Sequence, residues 1–566
     1  MDIRSMSLEE KVGQLVLCGF SGTEVSAEIR ALIAERRIGG VIYFARNVAS
    51  PGQVAALSEE LQGEAAASGT LPLLVTIDQE GGMVARLTEG VALFPGQMAI
   101  AAAGRPEHAY TAGFLTGREL RALGINLNFA PVLDVNNNPA NPVIGVRSYG
   151  ESPELVAAYG ANAIRGLQDA NVAATAKHFP GHGDTNVDSH LDLPVIPHDR
   201  ERIERVELPP FIRAIAEGVD AIMSTHIHFP AYESGGLPVT LSRAVLTGLL
   251  RERLGYEGVI MTDCMEMHAI SKRYGTVEAA VMAVEAGADA VLVSHTHELQ
   301  TGAIDALLAA VRSGRISEAS IDRSVERLLA LKERRGILRA EEAGAEAEAG
   351  QADDCGPAER ETAAGAEAPA AEAPLPLGEV GCAEHLAAAR AISEASVTLV
   401  KDAGGLVPLP AGAGTLVIGV SPEAVTVADD ELAAPLSLGR ALREAGVPAE
   451  ELAVAMADIA ARREELLERA AQAERLVVAT YNAYFQPEQA ELVRALQALG
   501  KPLAVVALRC PYDLLTFPEV GTYLLAYESR PLALASAARV LAGGIPPRGT
   551  LPVTIGEYAA GGGIRR

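Results

Sequence analysis

Short, almost wholly apolar runs recur over the first ~330 residues, separated by longer stretches whose apolar positions return at helical intervals. A capping box, Ser7-Leu-Glu-Glu10, opens the series, and the helical pattern behind it extends through about Val16. The runs Gly40 to Phe44, Leu73 to Ile77, Ile125 to Phe129, Val172 to Ala176, Ala221 to Ser224, Gly258 to Thr262 and Ala290 to Val293 read as buried strands. Strands alternating with helices predict a parallel α/β fold. Nearly every run ends in a polar residue: Arg46, Asp78, Asp134, Lys177 with His178, His226, Asp263, and Ser294 with His295. Strand ends that all carry polar groups suit a ring converging on one mouth, whereas an open sheet decorates only its switch point. The expected fold is therefore a (β/α)8 TIM-type barrel, with room for one irregular strand.

From Glu341 to Pro374 the pattern stops. Ten acidic residues stand against one basic, with no aromatic residue, and such a stretch buries too little apolar surface to fold alone. A helical pattern from Ala383 to Val397 then opens a second series, with strand candidates Leu416 to Val420, Leu476 to Thr480, Leu503 to Ala507, Tyr523 to Ala526 and Leu551 to Ile555. The expected organisation is a catalytic barrel over 1–338, an acidic linker over 339–378 and a C-terminal α/β sandwich domain over 379–566.

The net charge of −26 argues against nucleic acid and anionic membrane as partners. Five scattered cysteines, Cys18, Cys264, Cys355, Cys382 and Cys510, show no CxxC spacing and fit a reducing compartment. No secretory leader and no apolar run of membrane-spanning length is visible, so a cytoplasmic location without membrane insertion is expected. Nothing in the pattern speaks to oligomeric state.

Ionisable residues concentrate in Lys177 to His190, KHFPGHGDTNVDSH, directly after a predicted strand. Pro180, Gly181 and Gly183 make it a loop, and two chemistries suit it. In the first, Asp188 and His190, two apart, hydrogen-bond, and the oriented imidazole moves a proton near neutral pH. The second is a metal site on His178, His182, Asp184, Asp188 and His190, whose spacing matches no common zinc pattern. Asp263, after Gly258 to Thr262, reads equally as a carboxylate at the barrel mouth or as a helix N-cap. Asp78 and Arg86 flank a diglycine that lacks the phosphate-loop spacing, and an acid with a base at a barrel mouth suits sugar hydroxyls. Arg147 alone reads as a surface residue.

Taken together, KHFPGHGDTNVDSH, IDQEGGMVARL (77–87), LNFAPVLDVN (127–136), VIGVRSYG (143–150) and VIMTDCMEM (259–267) resemble glycoside hydrolase family 3, in its β-N-acetylglucosaminidase branch. The resemblance implies a small carbohydrate substrate, no cofactor and no metal. It implies Asp263 as nucleophile, the Asp188–His190 pair as general acid/base, and Asp78, Arg86, Arg147, Lys177 and His178 as sugar-binding residues. The implied reaction is double displacement with retention, removing N-acetylglucosamine from cell-wall muropeptides. Alternatives are a chitooligosaccharide β-N-acetylhexosaminidase, an N-acetylglucosaminide phosphorylase in which phosphate replaces water, and an idle sugar-binding protein. Val146 departs from the family pattern, since many relatives carry a polar residue there.

Overall fold

The computed structural model describes residues 3–185, 193–338, 375–410, 412, 414–421 and 437–566. Eight parallel strands close into a barrel in chain order: β1 (Val16–Gly19), β2 (Gly40–Tyr43), β3 (Leu74–Ile77), β4 (Leu127–Asn128), β5 (Ala173–Phe179), β6 (Ala221–Ser224), β7 (Val259–Cys264) and β8 (Ala290–Val293). Closure comes from the pairing of β1 with β8, Val16 with Val291 and Cys18 with Val293. These strands are buried on both faces, which is why their sequences are continuous apolar runs rather than alternating ones.

The sequence reading missed β1. The Ser7 capping box is present, but its helix ends at Gln14 and the next residues form a strand. A short apolar run next to a helix carries no periodicity that separates the two. The irregular strand is β4, only two residues long; the chain leaves it through a cis Ala130–Pro131 peptide and rejoins β5 by a single bridge, Val132 to Lys177.

The C-terminal residues form a six-stranded sheet. Its strands are β9 (Thr398–Asp402), β10 (Thr415–Val420), β11 (Ala449–Val454), β12 (Arg475–Thr480), β13 (Leu503–Ala507) and β14 (Thr522–Leu525), in the order β9-β14-β13-β12-β10-β11. Only β9 runs antiparallel to its neighbour. Strands β9 and β11 were not among the predicted runs. Glu450 and Glu451 interrupt the apolar signal of β11, an edge strand that half faces solvent.

Leu551 to Ile555, predicted as a strand, joins no sheet. Its polar groups are shared between the C-terminal tail, where Leu551 N–H donates to the Gly562 carbonyl (2.8 Å) and Ile555 N–H to the Tyr558 carbonyl (2.8 Å), and the barrel, where Glu151 N–H donates to the Pro552 carbonyl (3.2 Å) and Thr554 N–H to Glu151 Oε2 (2.8 Å). It straps the two halves together. Val146 packs with Met98, Ala99 and Ala102 into the apolar cluster of the C-terminal sheet, which accounts for an apolar residue at that position. Among the described residues no helix is long and apolar enough to cross a membrane.

Candidate active site at the barrel mouth

The C-terminal strand ends surround a cavity of about 470 Å³, lined among others by Asp78, Glu80, Arg86, Arg147, Lys177, His178 and Asp263. Five predicted sugar-binding residues and the predicted nucleophile therefore meet in one space. Asp188 and His190 lie outside the described residues. The chain on either side of them is anchored: Asn141 Nδ2 donates to the carbonyls of His182 (2.8 Å) and Gly183 (2.9 Å), and Val195 pairs with His228.

One wall is built on the turn after β3. Asn128, in β4, exchanges two amide hydrogen bonds of 2.9 Å with the backbone of Gln79, and so fixes the root of a hairpin made by Gln79–Gly81 and Val84–Ala85. Asp78 and Glu80, two apart, both turn toward the cavity, as alternate residues of an extended chain do. Lys177 Nζ, from β5, lies 2.7 Å from Asp78 Oδ1 and 2.6 Å from Glu80 Oε1. Arg147 grips Glu80 with both arms, Nε to Oε2 at 2.9 Å and Nη2 to Oε1 at 2.8 Å. Arg86 Nη2 stands 3.7 Å from Asp78 Oδ2. The surface reading of Arg147 is thus overturned: its side chain is 6% exposed.

Glu80 is the hub of this cluster, and the sequence reading gave it no role. Burial alone raises a carboxyl pKa, but Arg147 and Lys177 outweigh burial and hold Glu80 well below the usual carboxylate range. Burial likewise works against charge on Lys177, and Asp78 with Glu80 overcomes it, raising the ammonium pKa. Two carboxylates and three cations held this way form a charged, pre-organised surface whose remaining lone pairs and N–H groups suit sugar hydroxyls.

Glu80→Gln is expected to destabilise the protein by about 3–5 kcal/mol at pH 7, since it leaves two buried cations short of a partner. A depressed folded-state pKa contributes stability above the unfolded value, about 4.3, and loses it as pH falls toward the folded value. The gap between wild type and variant in urea unfolding should therefore narrow below about pH 4. A gap constant from pH 7 to about 3.5 would contradict the cluster.

A second network holds the base of the loop. Asp134 Oδ2 accepts from His178 Nδ1 (2.8 Å), and Oδ1 accepts from the backbone N–H groups of His178 (3.1 Å) and His182 (2.7 Å). Burial raises the Asp134 pKa; His178 counters it and leaves the carboxyl below its ordinary value. The carboxylate fixes the His178 tautomer with the proton on Nδ1, leaving Nε2 for the cavity its ring lines. His182 is pushed down to about 4, first by burial, so it is neutral at physiological pH. Asp184 bonds His198 Nε2 at 2.6 Å. Gly183 lies so close to Val135 that a Cβ there would stand 1.7 Å from the Val135 carbonyl oxygen, so this glycine serves close packing. Among the described residues no three His, Cys, Asp or Glu side chains gather as metal ligands.

On the opposite wall, Asp263 sits in β7 with its Oδ1 accepting from Cys264 N–H at 2.7 Å. The helix that follows starts at His268 with Met267 as its N-cap, so Asp263 caps no helix. His226 spans from Thr240 Oγ1 (2.8 Å) to the Cys264 carbonyl (3.0 Å) and steadies the backbone behind the carboxylate. Burial pushes the Cys264 thiol up to about 11, leaving it protonated and no rival nucleophile.

A parallel barrel with its ionisable side chains at the strand C-termini is the architecture of an enzyme. The family model described as the glycosyl hydrolase family 3 N-terminal domain matches residues 7–331, and the chain belongs to that family. Beta-hexosaminidase A of Pseudoalteromonas piscicida is 41% identical over 292 residues, 49% of this chain and 49% of that protein, so the matched part spans about half that relative's length. The beta-hexosaminidase of Alkalilimnicola ehrlichii is 37% identical over 289 residues, 50% of this chain and 81% of its own. A solved family 3 β-N-acetylglucosaminidase from Paenibacillus sp. str. FPU-7 is 49% identical, covers 97% of this chain and 99% of its own, and superposes with a TM-score of 0.87.

Proposed function

We propose that the protein is a retaining exo-β-N-acetylglucosaminidase. The observation that carries the reading is one cavity that joins Asp263, at the end of β7, to the Asp78–Glu80–Arg86–Arg147–Lys177 cluster and His178. The names of the similar proteins point to the same hexosamine chemistry. In this reading the charged cluster and His178 bind the hydroxyls of the terminal sugar. Asp263 attacks the anomeric carbon while His190, oriented by Asp188, gives its proton to the departing glycosidic oxygen. A glycosyl-enzyme ester results. His190, now neutral, takes a proton from water, whose oxygen attacks the anomeric carbon and releases Asp263 as carboxylate.

The substrate class is N-acetylglucosamine β-linked to a further sugar, with muropeptide fragments preferred over chitooligosaccharides. A chromogenic N-acetyl-β-glucosaminide should be hydrolysed with the β-anomer as first product by nuclear magnetic resonance. A first-formed α-anomer would overturn the retaining mechanism, and no hydrolysis would overturn the activity. Comparing kcat/KM on a muropeptide disaccharide and on chitobiose ranks the two aglycones.

A further inference from the structure

The diglycine Gly81-Gly82 is left unexplained by the sugar chemistry, since it holds no substrate group of its own. Its surroundings explain it. Gly82 has φ +57, and a Cβ on it would lie 2.6 Å from Glu528 Oε2 and 2.6 Å from Gly96 Cα. The C-terminal domain therefore reaches the tip of the hairpin whose other end carries Glu80. Glu528, Ser529 and Arg530 follow β14 and make the contact. Arg530 Nε donates to the Gly82 carbonyl (2.8 Å) and Nη2 to the Met83 carbonyl (3.4 Å), while Glu528 Oε2 accepts from Gly96 N–H (2.8 Å).

The apolar contact is as specific as the polar one. Met83, 4% exposed, packs into the cluster formed by Val397, Leu399, Ala526, Ala533 and Leu534, and among the buried members of that cluster it alone comes from the barrel half. The hairpin tip is thus a core residue of the other domain. A small gap between the two is lined by Glu80, Arg147, Val146, Tyr527 and Glu528, so the grip lies directly behind the charged cluster. Burial pushes the Glu528 carboxyl up to about 7, against the pull of the Gly96 N–H and Arg530.

We infer that the C-terminal domain is a clamp that sets the position of the sugar-binding hairpin, with Arg530 and Met83 as positioning residues for substrate affinity. The inference rests on the proposed sugar-binding role of the Glu80 cluster. Arg530 does not line the cavity. It ties the two turn carbonyls, and through them the rigid strand pair, to the sheet.

Two readouts on the 566-residue chain separate the parts of this claim. Arg530→Ala is expected to speed amide hydrogen exchange across residues 79–86 and to raise KM for a chromogenic N-acetyl-β-glucosaminide about tenfold, with kcat within about twofold, the pattern of lost uniform binding. Arg530→Lys, which keeps the charge but only one donor nitrogen for the two carbonyls, should fall between wild type and Ala. Met83→Ala tests the same clamp from the other side and serves alone if Arg530→Ala does not fold. Unchanged exchange of the hairpin in the folded variants overturns the clamp. Faster exchange with unchanged KM overturns the positioning role and locates the fault in the sugar-binding reading of the cluster. An active Asp263→Asn, by contrast, overturns the nucleophile and leaves the clamp standing.

Discussion

Asp263→Asn is expected to lower kcat on the order of 10⁴-fold, roughly 5 kcal/mol of barrel-mouth catalysis, while leaving KM within a few-fold. The substitution is nearly isosteric and keeps an oxygen to accept from Cys264 N–H, so the local fold has no reason to change. What it removes is the anionic oxygen that bonds to the anomeric carbon, and an amide supplies neither the charge nor the nucleophile. His226, Thr240 and the Cys264 carbonyl keep the position steady in the variant. Steady-state kinetics with circular dichroism as a folding control decides the matter: a folded variant within tenfold of wild type removes Asp263 from the reaction.

The second large effect is expected at His190. His190→Ala should lower kcat/KM on a disaccharide about 10³-fold, within the range of general acid catalysis, and far less on an aryl glycoside whose phenolate leaves unprotonated. The contrast between leaving groups is the diagnostic, because kcat/KM reports the first chemical step. A uniform loss on both substrates would mean that the residue binds or shapes the site rather than transfers a proton. Asp188→Asn should show the same contrast in weaker form, since it disturbs the orientation of the ring and not the ring itself.

How much of this was legible beforehand depends on the range over which each feature is encoded. Seven barrel strands and the polar residue at the end of each were readable because they are local: a buried run, then a charge. Asp263 became legible as a mouth carboxylate by position, and the structure removes its rival reading because Met267, four residues on, is the cap. Glu80 could have been found from its i, i+2 relation to Asp78. Its importance was hidden because that depends on Arg147, in a 3-10 turn of the loop after β4, and Lys177, in β5, both far along the chain. Arg147 looked superficial for the same reason. Asp134 was visible as a strand-end acid, yet its grip on both His178 and His182 is a matter of three-dimensional closure. Leu551 to Ile555 misled because an apolar alternation fits a strap lying across a partner domain as well as a strand in a sheet. No local pattern could announce Arg530, whose partners Gly82 and Met83 lie about 450 residues earlier.

That separation has a consequence in time. A ribosome extends the chain by about 5–20 residues per second, and domains fold as units as they emerge. The last barrel helix ends at Arg334, and Arg530 follows roughly 200 residues later, or about 10–40 s of synthesis. During that interval the barrel can close, yet the apolar bed of Met83 still lacks Ala533 and Leu534 and the Gly82 carbonyl has no guanidinium. A nascent chain stalled before Arg530 should therefore carry a complete set of barrel strands with the sugar-binding hairpin still unclamped, and should hold the substrate more weakly than a chain in which the Arg530 segment has emerged.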